Sequence, residues 1–198
     1  MRLRMTSPPG AEPVSLAEAK TWLRAGHDDE DALIGDLIAA ARERVETETG
    51  RALITRSYVE TLERWPAARL SAFGQAIGAA VAPLASAASV TVYDRRGQAS
   101  VWDPAEYRVE TGDPGRIVAV FPFALPTIDQ RGGRAEIAFA AGYGESADDV
   151  PAALREAVLR LVSDAYATVE PAESARRGEA GFSPSVEALI RPYRRARL

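Results

Sequence analysis

The spacing of apolar positions divides the chain into helical and extended stretches. Ser15-Leu16-Ala17-Glu18 has the form of a capping box. In that motif the serine hydroxyl accepts from the amide three residues on, and the glutamate reaches back. A short helix is expected to follow, with Leu16, Ala19, Trp22 and Leu23 on one face and Gly26 at its end. The acidic run Asp28-Asp29-Glu30-Asp31 then precedes Leu33, Ile34, Leu37, Ile38, Ala41 and Val45, which recur at three- and four-residue spacing. Gly50 stands at the usual C-terminal stop. Residues 15–50 therefore read as a helical hairpin.

After Gly50 the period shortens to two. Residues 53–64, with Ile54, Thr55, Tyr58, Val59 and Thr61, predict a strand closed by Trp65-Pro66. Residues 67–88 are small and weakly periodic and predict a loop with at most a short helical turn. Strands are expected at Val90–Tyr93, Tyr107–Glu110, Arg116–Phe121 and Ala135–Ala140, separated by the turn sequences Asp94–Gly97, Thr111–Gly115 and Arg131–Gly133. Pro151 opens the clearest helix, with Leu154, Ala157, Val158, Leu161, Val162, Ala165, Tyr166 and Val169 as its stripe, and Pro171 closes it. Leu37 and Leu161 lie at the centres of their stripes. The pattern predicts an α+β fold that is mainly helical. The hairpin and the 151–169 helix pack together, a small antiparallel β meander is inserted between them, and an extended tail follows. The expected organisation is an arm over residues 1–14 and a domain over 15–170 (helices 15–50, β-rich lobe 51–145, helix 151–169). A linker and tail occupy 171–198.

Composition narrows the chemistry. The chain has 198 residues, no cysteine and one histidine, His27. A disulfide framework, a thiolate zinc site and a cysteine nucleophile are excluded. A multi-histidine metal site is excluded too, and a catalytic triad could only be built on His27. Formal net charge is −4, with 23 arginines and Lys20 as the sole lysine. That balance argues against a generic basic nucleic-acid binder. No apolar run is long enough to span a bilayer, and no apolar stretch follows Met-Arg-Leu-Arg-Met, so neither a membrane span nor a signal peptide is expected. Asp28–Asp31 lack the alternation and the glycine of a calcium loop, and acids at a helix start are explained by the helix dipole. Gly142-Tyr143-Gly144 and Arg131–Arg134 lack phosphate-loop spacing. No catalytic residue, cofactor site or metal site is expected.

The C-terminal segment departs from this plain pattern. From Arg176 onward six arginines stand against Glu179 and Glu187, together with Phe182, Leu189, Ile190 and Tyr193. Arginine with aromatic anchors is the composition of binding hot spots. This segment is expected to order on a partner.

The pieces also occur in a familiar order. They are Glu12–Lys20 with Trp22-Leu23-Arg24, the acidic turn, Leu37–Arg42, Val45-Glu46, Gly50–Leu53 and Trp65-Pro66. After these come Ser89–Asp94, Tyr107–Val109, Ala141–Gly144, Val150–Leu154 and Leu189–Arg194. Together they resemble the head–tail connector, or neck adaptor, proteins of tailed bacteriophages, prophages and gene transfer agents.

The resemblance implies a structural virion protein without enzymatic activity or cofactor, assembled in the bacterial cytoplasm and located at the neck of the particle. It implies a homo-oligomeric ring, typically dodecameric, beneath the portal protein. A stopper or tail-side neck protein would bind the other face, and double-stranded DNA would pass through the channel. It assigns portal docking to Phe182, Leu189, Ile190, Pro192, Tyr193, Arg194, Arg195 and Arg197. Arg42 and Arg44 are candidates for contacts between subunits. A net-acidic body suits a conduit, because DNA phosphates are held by basic surfaces. Two alternatives come from other classes: a small metal-dependent enzyme using Asp28–Asp31, and an accessory DNA-binding protein using the arginine tail.

Overall fold

The computed structural model describes residues 2–67, 76–169 and 182–195. The chain forms two compact units, one from Met1–Gly10 and Thr55–Tyr143, the other from Ala11–Ile54 and Gly144–Arg197.

The first unit is built of strands: β1 (Arg2–Met5), β2 (Arg56–Leu62), β3 (Ala76–Gly78), β4 (Leu84–Tyr93), β5 (Ala99–Val101), β6 (Tyr107–Glu110), β7 (Arg116–Ala119) and β8 (Arg134–Ala141). They form a five-stranded antiparallel sheet in the order β1-β2-β8-β4-β5 and a three-stranded antiparallel sheet in the order β3-β7-β6. The alternation in β8 follows its sequence: Ala135, Ile137, Phe139 and Ala141 are buried, and the residues between them are half-buried. Tyr58 pairs with Phe139 in the β2–β8 register, and their rings stack with centroids 5.4 Å apart. A second aromatic pair, Trp102 and Tyr107, lies at 4.7 Å. The indole N–H of Trp102 donates to Glu106 at 2.9 Å, which satisfies the polar end of a buried ring.

The second unit is helical: α1 (Leu16–Leu23), α2 (Asp31–Thr49), α3 (Ala152–Val169) and α4 (Pro184–Ile190). The expected capping box is present. The Ser15 hydroxyl accepts from the Glu18 amide at 3.2 Å, and the Glu18 carboxylate accepts from the Ser15 amide at 2.9 Å. Helix α1 ends earlier than expected, with Arg24 in the left-handed region at φ 58°. Gly50, at φ 68°, ends α2 as its position predicts. Ile34, Ile38, Ala41 and Val45 of α2 and Leu154, Ala157, Val158, Leu161 and Val162 of α3 are buried, and α2 packs on α3. Leu37 is only half-buried, so the centre of the α2 stripe is Ile34–Ile38.

The mainly helical expectation is overturned. Helix accounts for 35% and strand for 27% of the described residues, and the two antiparallel sheets make the fold mixed α+β. The expected single meander is also corrected, since β8 lies between β2 and β4 in the larger sheet. Periodicity does not predict β1, β3 or β5, and it predicts β4 only from Val90. Strand β4 begins six residues before Val90 within a run of alanine and serine. Its backbone is fixed by pairing with β8, with register shifts at Leu84/Ser86 and Ala87/Ser89. Bulges of this kind break the two-residue alternation on which a sequence reading depends. Strand β1 is too short and too exposed to register, although its Arg-Leu-Arg-Met alternates. The tail is extended only in part: residues 184–190 are α4, where the sequence Ser183–Ile190 predicts a short capped helical turn. Residues 68–75 and the 171–181 linker lie outside the described residues.

The turn before β7 requires glycine. A Cβ on Gly115 would sit 2.2 Å from the Cβ of Leu84 and 2.8 Å from the Gly112 carbonyl oxygen. Leu84 cannot yield easily, because its backbone exchanges two hydrogen bonds with Gly112, both 2.9 Å. Gly115→Ala is expected to destabilise the β unit by about 1–3 kcal/mol through overpacking. Urea unfolding measures this, and wild-type stability in the variant would refute the close approach.

Candidate functional site

The acidic turn has an occupant of its own. Lys20 Nζ lies 2.6 Å from a carboxylate oxygen of Asp28 and 2.6 Å from one of Asp31. The hydrogen bonds from Lys20 hold the Asp28 carboxyl below its usual range, and the same two acids raise the Lys20 pKa. The charges that a divalent ion would need are thus taken up by an ammonium group. Among the described residues no group of three or more His, Asp or Glu side chains is arranged to hold a metal ion. His27 is exposed beside this turn. The metal-dependent alternative therefore finds no support in the site it named.

A polar seam crosses the helical unit. Arg42 is 5% and Glu46 8% exposed. The Arg42 guanidinium donates to Glu12 at 2.8 Å and to Glu46 at 3.1 Å. The other Glu46 oxygen accepts from the Leu53 amide at 2.9 Å. Arg42 is thus committed inside its own subunit, which removes it from a free surface. Arg44, by contrast, is exposed on α2, where its guanidinium lies 4.4 Å from the ring centroid of Phe182. Glu43, Arg44, Thr47, Glu48 and Phe182 line a shallow open groove there.

The C-terminal segment returns to α2. Helix α4 packs on α3, and Val186 and Ile190 are fully buried. Arg194 forms ion pairs with Glu187 and, at 2.5 Å, with Glu48. The Arg195 amide donates to the Thr49 carbonyl at 3.2 Å. Arg51 donates to the Tyr193 carbonyl and sits 5.7 Å from its ring. The residues expected to dock on a portal are therefore placed unequally. Ile190 is core, Phe182, Tyr193, Arg194 and Arg195 are engaged within the unit, Leu189 is half-buried, and Pro192 is exposed. Arg197 lies outside the described residues. Sequence reasoning missed this engagement because Val186 and Ile190, four apart, form a burial stripe too short to stand out in a seven-residue helix.

Helix α1 is tied to α3 by Arg155, whose guanidinium pairs with Glu18 and with Asp148 at 3.5 Å. The Glu18 carboxyl is lowered first by the Ser15 amide and further by the Ser15 hydroxyl and Arg155. A carboxyl with a depressed folded-state pKa contributes stability above its unfolded value, near 4.5, and loses it as pH falls through the lower folded value. Wild type is therefore expected to lose stability more steeply than Glu18→Gln below about pH 4.5. Thermal melts across this acid range test it; identical acid limbs would refute the assignment.

Comparison with known proteins places this architecture. Residues 13–82 match the family described as Phage gp6-like head-tail connector protein. This span covers α1, α2 and the first strands that follow. Three solved structures match along the whole chain, each covering 100% of this chain and 97% of the other. They are the neck of an empty gene transfer agent particle computed with C6 symmetry (28% identity, TM-score 0.80), the virion of a native gene transfer agent particle (27%, 0.79), and the neck of a native particle computed with C12 symmetry (28%, 0.74). No curated protein matches. Among the described residues no helix is long and apolar enough to cross a membrane.

Proposed function

We propose that this chain is a head–tail connector protein, a structural and non-enzymatic component of the neck of a virion or phage-like particle, and that it works as a ring that joins the filled head to the next neck or tail ring. The observation that carries this is the whole-chain match to proteins of particle necks computed with C6 and C12 symmetry. A closed ring is built from one heterologous contact repeated by rotation. The copy number proposed is twelve, in line with the C12 neck.

In this reading one face of the ring docks on the portal through the C-terminal segment. The engaged residues Ile190, Tyr193, Arg194 and Arg195 hold that segment in shape. Leu189, Pro192, Arg191 and Arg197 make the contact, with arginine's planar fork suited to portal carboxylates. The opposite face receives the stopper or tail-side protein, and DNA passes through the centre. The helical unit carries nineteen acids against thirteen basic residues, which supports a surface that does not retain phosphates.

Electron microscopy of the purified protein, alone and with portal, is the test. Rings are expected, and R191E/R197E is expected to form them while binding portal at least tenfold more weakly. Persistent monomer both alone and with portal would overturn the ring. Unchanged portal affinity in the variant would move docking to another surface.

A further inference from the structure

The β unit displays apolar side chains that its own core does not use. Between β7 and β8, Phe121 is 86%, Phe123 42% and Val120 36% exposed. The loop that carries them is nevertheless tied down. The Val120 amide donates to the Glu106 carbonyl at 2.8 Å and the Phe123 amide to the Val120 carbonyl at 2.8 Å. The Trp65 indole donates to the Pro126 carbonyl at 2.8 Å, and Ile128 is buried. Two phenylalanines held in water by an anchored loop form a preorganised contact, since little ordering entropy is lost when they are covered. The neighbouring outward face of β6 and β7 is basic: Arg108 and Arg116 both pair with Glu110, leaving one positive charge in excess.

We infer that this Phe121–Phe123 loop, with Arg108 and Arg116 on the outward face of the strands that lead into it, seats on the α1 end of the helical unit of the next copy of this chain. The contact rests on the ring reading above and names its interface. Charge favours a second copy as occupant. The β unit holds eleven arginines against nine acids, and the helical unit is strongly acidic. Apolar surface agrees. Among the described residues the helical unit exposes one large hydrophobic side chain, Trp22, at 45%. Lys20 joins the acidic turn to the helix that carries Trp22. Asp29 and Glu30 of that turn are exposed. An apolar hook on a basic unit thus matches an aromatic on an acidic one. The two surfaces differ, as a head-to-tail ring requires and a two-fold dimer does not.

The test uses the full chain, whose lack of cysteine makes single-cysteine variants clean reporters. A124C and T21C proteins, whose cysteines replace exposed residues and leave Phe121 and Trp22 in place, are mixed at assembly concentration and bridged with a short bis-maleimide. Crosslinked 124–21 dimers are expected in excess of 124–124 and 21–21 pairs. F121S/F123S is expected to keep the wild-type melting temperature, because both side chains face solvent, and to assemble more than about tenfold less readily. R108E/R116E should show a similar loss, recovered when mixed with D29R/E30R. Rings that persist in F121S/F123S, or oligomers without the 124–21 crosslink, would overturn this contact and leave the ring reading standing. Wild-type protein that never assembles, alone or with portal, would overturn both.

Discussion

Arg42→Ala is expected to destabilise the helical unit by about 3–5 kcal/mol, because it leaves a buried carboxylate without its counter-charge. Arg42 and Glu46 lie one turn apart on α2, both nearly inaccessible to water. Glu46 is further committed to the Leu53 amide, so it cannot swing out to solvent without abandoning a buried backbone donor. Glu12 approaches the same guanidinium from the segment before α1, which couples the start of the unit to its central helix. Replacing both partners by apolar residues of similar size, as in R42M/E46L, should restore much of the loss, since the penalty comes from the orphaned charge. The Leu53 amide would still lack an acceptor, so recovery should fall short of wild type. Denaturant unfolding of the two variants decides the matter. A loss below about 1 kcal/mol in Arg42→Ala would mean that the pair behaves as an exposed one and that Arg42 is available to a neighbouring subunit after all.

Ile190→Ala should cost about 2–5 kcal/mol, the range for deleting buried methylenes. Removing residues 182–198 should lower the melting temperature of the helical unit markedly. The sequence alone suggests the opposite, that a basic tail could be cut without harm. Burial of Val186 and Ile190 where α4 packs on α3 reverses that expectation. Truncation would also strip Glu48 and the Thr49 carbonyl of the partners that Arg194 and Arg195 supply. Circular dichroism melts of Ile190→Ala and the truncation measure the effect, with Arg191→Ala, which changes an exposed side chain, as the control. A truncated protein that melts like wild type would return the segment to the status of a free tail. The result also conditions portal-binding experiments: loss of binding on truncation would not separate docking from folding, whereas R191E/R197E would.

Local chemistry determined several elements outright. The Ser15–Glu18 box starts α1, Gly50 stops α2, and the three- and four-residue spacing of Ile34, Ile38, Ala41 and Val45 buries one face of that helix. The absence of cysteine and the single histidine exclude whole classes of chemistry, and the order of short motifs points to the connector family that residues 13–82 match. Tertiary structure decided what lies beyond the reach of one element. Strand β4 exists because β8 supplies its hydrogen bonds, not because its alanines and serines prefer extended backbone. Arg42 looks like a surface charge in the sequence and becomes a buried one because Glu12, thirty residues away, completes its pairing. Ile190 was legible as apolar, but whether it faced a partner or its own core depended on α3, which pattern within a seven-residue segment cannot encode. The Phe121–Phe123 loop is the converse. Its residues are apolar enough for a core, and only the anchoring of both ends by the β unit turns them outward, where another molecule can cover them.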